Sequence, residues 1–525
     1  PAVPRYHLIN MGGAGEKGAH IVSALRRAAC TMTASPLDTD TTSAWGTVDN
    51  NPLSYYQTAG WDEGGFNYMG QGVGLTYEFD QAYKMDTIGL YCYAGYDYTY
   101  AHVRYWGEDG VAHDIAVSRQ NRQDAEGRPY SLLKLAQPVM AKKIQIGLGC
   151  SVAGDWNIRV AEVYFYHYDE LMEEIMSLYQ DDLHMVLRPD VTQSTINSLR
   201  FKINQIDEIS GEYNPDLEVL ERELKTAEDI LNDVALNAPL KIHSEITTKD
   251  VGRGFGGINA WQPLGITAGA GDKITIYVGH STKKTGDATN LSVVASQYHS
   301  EANAIASGAG NLKVGANVIV IPRIGTLAEQ ENGGSIYIQY SGDPAKDPGE
   351  YAVRVSGGVS VPRLDLYQVT DKSERLARVT TYVRELENFV GKLEENHNKL
   401  HKTSENSMLN AYAYDKTNCI LGASDILLDT MMLSLPAEQL LAGAGGGTLQ
   451  EKAEKMLTSL DAMGDMMYLF YQHKGLNANA TDEVDKIPKG HLNIRYQRMF
   501  AGAFMYAAGN HIGIEYGSAS GLTSC

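Results

Sequence analysis

Cysteine is scarce in this chain of 525 residues, which contains only five. Cys30, Cys92, Cys150, Cys419 and Cys525 lie far apart and form no CxxC pair. This spacing argues against a disulfide framework and against a cysteine-based zinc site. We therefore expect buried free thiols, and the cysteines do not define the compartment.

Long apolar runs and a basic surplus are also missing. No stretch approaches the roughly 20 apolar residues that span a bilayer, and the first residues, PAVPRYHLINMGG, lack the pattern of a signal peptide. The formal net charge is −20, from 44 basic and 64 acidic residues. Nucleic acids and anionic membranes are bound through basic patches. We therefore expect a soluble protein with no nucleic-acid partner and no membrane span.

Motifs for phosphate binding and for zinc hydrolysis are absent as well. The glycine-rich segments do not lead into a helix that opens with Lys and Ser or Thr, so they are not phosphate loops. The chain has no HExxH, the helical motif in which two His bind zinc and the Glu acts as general base. His397 and His401 have the spacing of such a pair, but no Glu lies between them. We interpret them as solvated side chains on a helix.

What the chain does contain is an alternation of strand and helix patterns. Short alternating runs between Gly, Asp and Asn turns predict a β-sandwich over 30–168, after a lead at 1–29. A helical period predicts a spacer over 169–236. Strand patterns return at 237–362, and helical patterns dominate 363–525. The sequence therefore predicts a multidomain α+β protein.

Tyrosine is the abundant aromatic residue, with 32 Tyr against 9 Phe and 5 Trp. An aromatic ring with a polar tip suits sugar-like or extended polar ligands. The same residue also suits ordinary β-sheet surfaces. Composition alone leaves both interpretations open.

Two segments of the predicted sandwich resemble landmarks of discoidin-like domains, also called galactose-binding-like domains. VDNNPLSYYQTAGW (48–61) is similar to the segment that reads DGNPSTYWHT in that family. GDWNIRVAEVYFY (154–166) is similar to the family's last strand. The resemblance implies a jelly-roll sandwich that carries carbohydrate-binding loops.

The resemblance also implies a structural calcium ion that ties the two segments together. Its side-chain ligands would be Asp49, Ser54 and Glu162, and oxygen ligands suit this hard cation. The chain departs from the family pattern twice, because Asn50 stands where Gly is usual and Ser54 where Thr is usual. Serine keeps the hydroxyl oxygen that a ligand needs.

Sugar-binding members of that family use loops at one end of the sandwich. An aromatic ring stacks on the pyranose, and polar side chains bind its hydroxyls. The alternative for the tryptophan among our candidates is that it only plugs the end of the sandwich. The carbohydrate-binding candidates are Trp156, Asn157, Tyr96, His102 and Arg104.

Three segments of the second half resemble successive landmarks of enhancin-like zinc metallopeptidases, which gut bacteria secrete to attack mucins. They are GITAGAGDKITIYVG (265–279), NGGSIYIQYSG (332–342) and RYQRMFAGAFMYAAGNHIGIEYG (495–517). The resemblance implies that HExxH follows the last segment, beyond Cys525 or on an associated chain. Zinc and the catalytic residues are therefore expected there, and we expect none in this chain.

The last of these segments holds His511 and Glu515, four residues apart. The surrounding glycines disfavour a helix, so we interpret both residues as part of a strand or loop at the edge of a cleft. We predict that they contact substrate.

Two functions remain open. The first is the N-terminal portion of a secreted, extracellular zinc metallopeptidase acting on mucin-type O-glycoproteins, with a calcium-containing sandwich that holds it on glycans. An associated C-terminal fragment carrying the zinc site would then be a partner. The second is a non-catalytic glycan-binding or adhesion protein built on a peptidase-like scaffold.

Overall fold

A computed structural model divides the chain into two units. The first comprises Pro1–Ser177 and Thr192–Leu224, and the second comprises Leu178–Val191 and Lys225–Cys525. The residues that the structure describes are 8–9, 30–34, 44–48, 51–57, 73–93, 95–149, 158–206, 213–214, 216–232, 238–247, 259–297, 305–324, 332–403, 414–417, 419–498, 503–509 and 511–524.

Antiparallel strands dominate the first unit, where nine of them form one described sheet. Their bounds are β1 (Leu8–Ile9), β2 (Cys30–Ala34), β3 (Tyr56–Gln57), β4 (Val73–Cys92), β5 (Tyr100–Trp106), β6 (Ala112–Ile115), β7 (Val117–Gln123), β8 (Pro129–Gly149) and β9 (Arg159–Tyr166).

The long strands β4 and β8 pair along most of their length. They take part in both of the layers that this sheet forms. The register shifts between Glu78 and Tyr83, which allows the strands to bend. One end of the pair is flanked by β2 and β5, and the other end by β9 and β7. Leu75 and Ile146 from one end share a core with Ile88 from the other. The unit is therefore a two-layered β structure, and the jelly-roll topology stays a prediction.

Three described helices follow these strands in the chain: α1 (Leu171–Met176), α2 (Gln193–Ile203) and α3 (Leu217–Leu231). The predicted apolar stripe of α3 is buried at Leu220, Leu224 and Ala227, as its spacing requires. The division between the units falls inside α3. The five predicted domain limits stay predictions.

The second unit begins with strands that form a four-stranded sheet, in the order β10-β17-β12-β15, and a five-stranded sheet, in the order β14-β13-β16-β11-β18. Both contribute to one core of aliphatic side chains. The bounds are β10 (Leu240–Lys241), β11 (Trp261–Gly269), β12 (Lys273–His280), β13 (Ala288–Ser296), β14 (Ala306–Lys313), β15 (Gly315–Val320), β16 (Gly333–Tyr340), β17 (Tyr351–Ser356) and β18 (Val359–Ser360).

A mixed six-stranded sheet and four helices complete the second unit. The strand order is β19-β20-β21-β22-β24-β23. The helical patterns of the sequence predict α4, α5 and α7, but they do not predict this sheet. The bounds are β19 (Arg363–Asp365), α4 (Lys372–Val390), α5 (Leu393–Thr403), β20 (Ala423–Leu427), β21 (Met431–Pro436), α6 (Ala437–Gly443), α7 (Leu449–His473), β22 (Leu492–Tyr496), β23 (Met505–Ala507) and β24 (His511–Ile514).

The two faces of the six-stranded sheet differ in chemistry. One face packs against the helices through an apolar core that includes Leu433 and Ile494. The opposite face meets β11 and β16, where Trp261 and Tyr337 pack on Met432. On that second face Tyr337 donates a hydrogen bond to buried Asp425 at 2.8 Å. Polar residues therefore lie between the five-stranded and six-stranded sheets.

The predicted multidomain α+β class is confirmed by these sheets and helices. Within the part of the chain that the structure describes, every helix is too short or too polar to cross a membrane.

Candidate functional site

The structure brings two of the three predicted calcium ligands to the same turn. Glu162 lies on β9, is 1% exposed, and accepts the backbone N–H of Asn51 at 2.7 Å through Oε1. Ser54 Oγ donates to the carbonyl of Asn51 at 2.9 Å and lies 3.4 Å from the carbonyl of Gly46. A buried carboxylate, a hydroxyl and two carbonyls form the kind of oxygen set that calcium takes. Asp49 lies outside the described residues.

Tyr96 lies beside the start of β9. Two other sugar-binding candidates directly precede β9 in the chain. The guanidinium of Arg159 is 3.7 Å from the centroid of the Tyr96 ring. The backbone N–H of Arg159 donates to the carbonyl of Tyr96 at 3.1 Å. Trp156 and Asn157, just before β9, lie outside the described residues. The loop of Tyr96 is thus fixed to the segment that follows them.

Two further tyrosines join this group and were not found from the sequence. Arg159 lies 5.0 Å from the ring centroid of Tyr55 and 5.9 Å from that of Tyr93. The two rings are 5.1 Å apart, and Tyr93 is 36% exposed. One cation held among three aromatic faces stabilises the group by cation–π attraction. The high tyrosine content was the only available signal, and it does not say which tyrosines meet.

His102 and Arg104 lie on β5, on the same face of that strand because they are two residues apart. Arg104 Nε donates to Asp114 Oδ1 at 2.6 Å, so its charge is already paired with the neighbouring β6. Tyr96 lies in the loop that precedes β5. The structure therefore places the charge of Arg104 within the sheet rather than in the loop that holds Tyr96.

His511 occupies a strand, β24, and is largely buried at 7% exposure. Its Nε2 is 2.9 Å from the hydroxyl of Tyr506 on β23. Burial, together with the nearby charge of Arg495, lowers the pKa of His511 to about 4. The imidazole is therefore neutral at pH 7 and is hydrogen-bonded to the outermost strand in the described sheet order.

Glu515 follows β24 in a turn. Its carboxylate accepts the hydroxyl of Ser518 at 2.7 Å and the backbone N–H of Gly517 at 3.0 Å. These hydrogen bonds lower the pKa of Glu515, so the group is ionised at neutral pH. Glu515 and His511 are thus joined by one strand but have different partners.

No zinc site is present among the residues that the structure describes, where no three His, Cys, Asp or Glu side chains are grouped to hold a metal. The interpretation of His397 as a solvated side chain is wrong. It is fully buried on α5, with its ring 5.5 Å from that of Tyr414, because the apolar side of α5 turns this residue inward. The side chain of His401 lies outside the described residues. The described residues do not fit a catalytic zinc ion.

The chain resembles known proteins in its fold. No family model and no curated protein matches the chain. Solved structures do match. The chain is similar to a structure of the CBM32-1, CBM32-2 and M60 catalytic domains of ZmpB from Clostridium perfringens, with a TM-score of 0.58 and 17% identity over 94% of this chain and 46% of that one.

Two further structures are similar at lower scores. They are the catalytic module of the metalloprotease ZmpA from Clostridium perfringens (TM-score 0.39, 16% identity, 55% of this chain and 50% of that one) and a metallopeptidase from Bacteroides thetaiotaomicron (TM-score 0.34, 14% identity, 67% and 48%). The chain spans about half the length of these proteins. At 17% identity the likeness to the ZmpB structure shows a shared fold alone.

Proposed function

We propose that this chain is the glycan-binding and N-terminal portion of a secreted zinc metallopeptidase that acts on mucin-type O-glycoproteins. The observation that carries the proposal is the fold likeness, over 94% of this chain, to a structure of ZmpB that contains carbohydrate-binding modules and a catalytic domain. Function is not implied by fold alone, so each part of the proposal rests on a site in the chain.

The first unit supplies the glycan-binding part of this proposal. Tyr96 and Tyr93 offer aromatic rings at the loop before β5, and the Arg159 guanidinium stacks on the ring of Tyr96. Such rings stack on the apolar face of a pyranose while neighbouring polar groups bind its hydroxyls. Trp156 and Asn157 complete the proposed site, and His102 and Arg104 extend it along β5.

Calcium is proposed at the turn that holds Ser54. The buried carboxylate of Glu162 would provide the negative charge, and the carbonyls of Gly46 and Asn51 would add neutral oxygens. Asp49 is the third side-chain ligand that the discoidin resemblance implies. The ion would link the turn to β9 and so hold the end of the sandwich in place.

The second unit offers a surface on which an extended peptide can bind. β23 is the last strand in the described sheet order. Phe504 and Ala508 pair with β24 through their backbone groups. By the alternation of an antiparallel ladder, the backbone groups of Met505 and Ala507 point away from β24. A substrate strand would pair with these two residues, near the Tyr506–His511 contact and Glu515.

The zinc ion and its ligands are proposed to lie outside the 525 residues, since the chain has no HExxH. They would belong to the remainder of the polypeptide or to an associated C-terminal fragment. The 525 residues alone would then bind glycoprotein without cleaving it. The extracellular location follows from the mucin substrate that we propose.

The sandwich part of the proposal is tested by replacing Tyr96 with Ala and measuring binding to immobilised mucin-type O-glycopeptides. Loss of a stacked ring should weaken binding by about tenfold or more. Tyr213→Ala is the matched control, because Tyr213 is 52% exposed and lies outside the sandwich strands, and it should leave binding unchanged. The site would be rejected if Tyr96→Ala bound the glycopeptide as tightly as Tyr213→Ala does. It would also be rejected if the wild-type chain bound the bare peptide as tightly as the glycopeptide.

A further inference from the structure

Arg495 on β22 is a fully buried cation with weak partners. Its side chain lies between the five-stranded and six-stranded sheets, where NH1 is 3.4 Å from Asn493 Oδ1 and NH2 is 3.3 Å from the carbonyl of Gln297. Both contacts are long for hydrogen bonds to a charged group. Among the described residues Nε has no acceptor, and no carboxylate lies within ion-pair distance of the guanidinium. Burial of a charge in this state is costly.

Gln497 adds a second polar group to the same place. It is fully buried, and neither atom of its side-chain amide has a partner in the part of the chain that the structure describes. Its backbone N–H donates to the carbonyl of Ile514 at 2.9 Å, so the chain is still paired with β24 at this point. Residues two apart on an extended chain share a face. The side chains of Gln497 and Arg495 therefore lie on the same face.

The charged groups nearest to Arg495 do not neutralise it directly. Asp425 occupies the same row of the sheet, but Ser434 lies between them, so the two backbones are roughly 10 Å apart. Oδ1 of Asp425 accepts the hydroxyls of Tyr337 and Ser434. His511, on the other side, is neutral at pH 7. Within the part of the chain that the structure describes, the guanidinium of Arg495 thus has no counter-charge in contact.

We propose that Arg495 and Gln497 bind a small monovalent anion, a halide or a short carboxylate, between the two sheets. The guanidinium Nε–H and the amide N–H groups of Gln497 are the donors that such an anion requires. Unpartnered buried polar groups call for an ion or water of this kind. The anion would hold β22 against Gln297, the residue that follows β13. In the sheet, β24 lies between this site on β22 and the strand β23 at which we propose that peptide binds.

The test is thermal unfolding of the 525-residue chain in mixtures of sodium chloride and sodium gluconate at constant ionic strength, with sodium formate replacing the chloride in a second series. The melting temperature should rise saturably with chloride or with formate, and the more effective ion identifies which anion the site takes. Gln497→Leu should raise the apparent dissociation constant of that anion about tenfold or more. Gln472→Leu, on the exposed side of α7, should respond like the wild type.

A wild-type melting temperature that does not depend on either anion would overturn the proposal and assign the space to water. The same conclusion would follow if Gln497→Leu kept the full response. Should that variant fail to fold, crystals of the wild type grown in sodium bromide decide the matter. An anomalous peak beside Arg495 Nε supports the site. The absence of that peak, together with the absence of formate density there in crystals grown in sodium formate, refutes it.

Discussion

Exchanging Glu162 for Gln should abolish the calcium-dependent part of the chain's thermal stability. With calcium at a hundred times its dissociation constant, the wild-type sandwich should melt about 8 °C higher than with a chelator. The Glu162→Gln variant should melt at one temperature in both conditions. Glutamine can still accept the N–H of Asn51, which Glu162 binds at 2.7 Å, but it lacks the charge that a hard cation needs.

A matched control separates this effect from a general change in charge. Glu78 is exposed on β4 of the same sheet, and Glu78→Gln should retain the full calcium response. Asp49→Ala should lose the response, if the ligand set of the discoidin-like family applies here. A wild-type melting curve that is identical with and without calcium would reject the site.

Replacing Asp347 with Asn should destabilise the second unit by about 3 kcal/mol at pH 7. Asp347 is 7% exposed, and its Oδ2 accepts Tyr340, Tyr351 and Asn290 at 3.0, 2.8 and 2.8 Å. Its Oδ1 is 2.8 Å from the Lys283 ammonium. The amide leaves Lys283 without its counter-charge and cannot accept all of these donors. Urea unfolding at pH 7 measures the difference.

The acid dependence of Asp347 provides a second measurement on the same variant. Burial would raise the pKa of Asp347, but the hydrogen bonds from Lys283 and its three neutral partners outweigh burial and hold the pKa well below its usual range. The contribution is therefore complete above the unfolded-state pKa of about 4 and is lost as the pH falls below it. The difference in the free energy of unfolding between wild type and Asp347→Asn should therefore be smaller at about pH 3 than at pH 7. Asp343 lies in the turn just before Asp347, and the Asp343→Asn variant should have the same free energy of unfolding as wild type at both pH values.

Strands of the first unit were predictable where apolar and polar residues alternate along them. In the run GLTYEF, Leu75, Tyr77 and Phe79 enter the core, and Glu78 between them is exposed. The stripe of α3 was equally readable, since Leu220 and Leu224 recur with the helical period. Local periodicity therefore gave the fold class and the element types in these regions.

The six-stranded sheet could not be read in this way. MMLSLP, which forms β21, is buried at every position, and a continuous apolar run does not distinguish a strand from a helix. The buried polar face of the six-stranded sheet was not predicted from the sequence for another reason. Tyr337 and Asp425 are 88 residues apart in the chain, and only tertiary packing brings them together. The burial of His397 escaped prediction similarly, because its neighbour Tyr414 lies beyond the end of α5.

Cleavage of a defined mucin-type O-glycopeptide is the decisive test of the proposed metallopeptidase function. The natural polypeptide that contains this chain would be purified from its source and incubated with glycosylated and bare forms of one peptide, and the products identified by mass spectrometry. We predict cleavage of the glycosylated form only, its complete loss with a zinc chelator, and turnover about tenfold lower for Met505→Pro than for Met505→Ala. Saturable binding of an intact glycopeptide, with no cleavage in the presence of zinc, would rule out the metallopeptidase function and favour a non-catalytic glycan-binding protein.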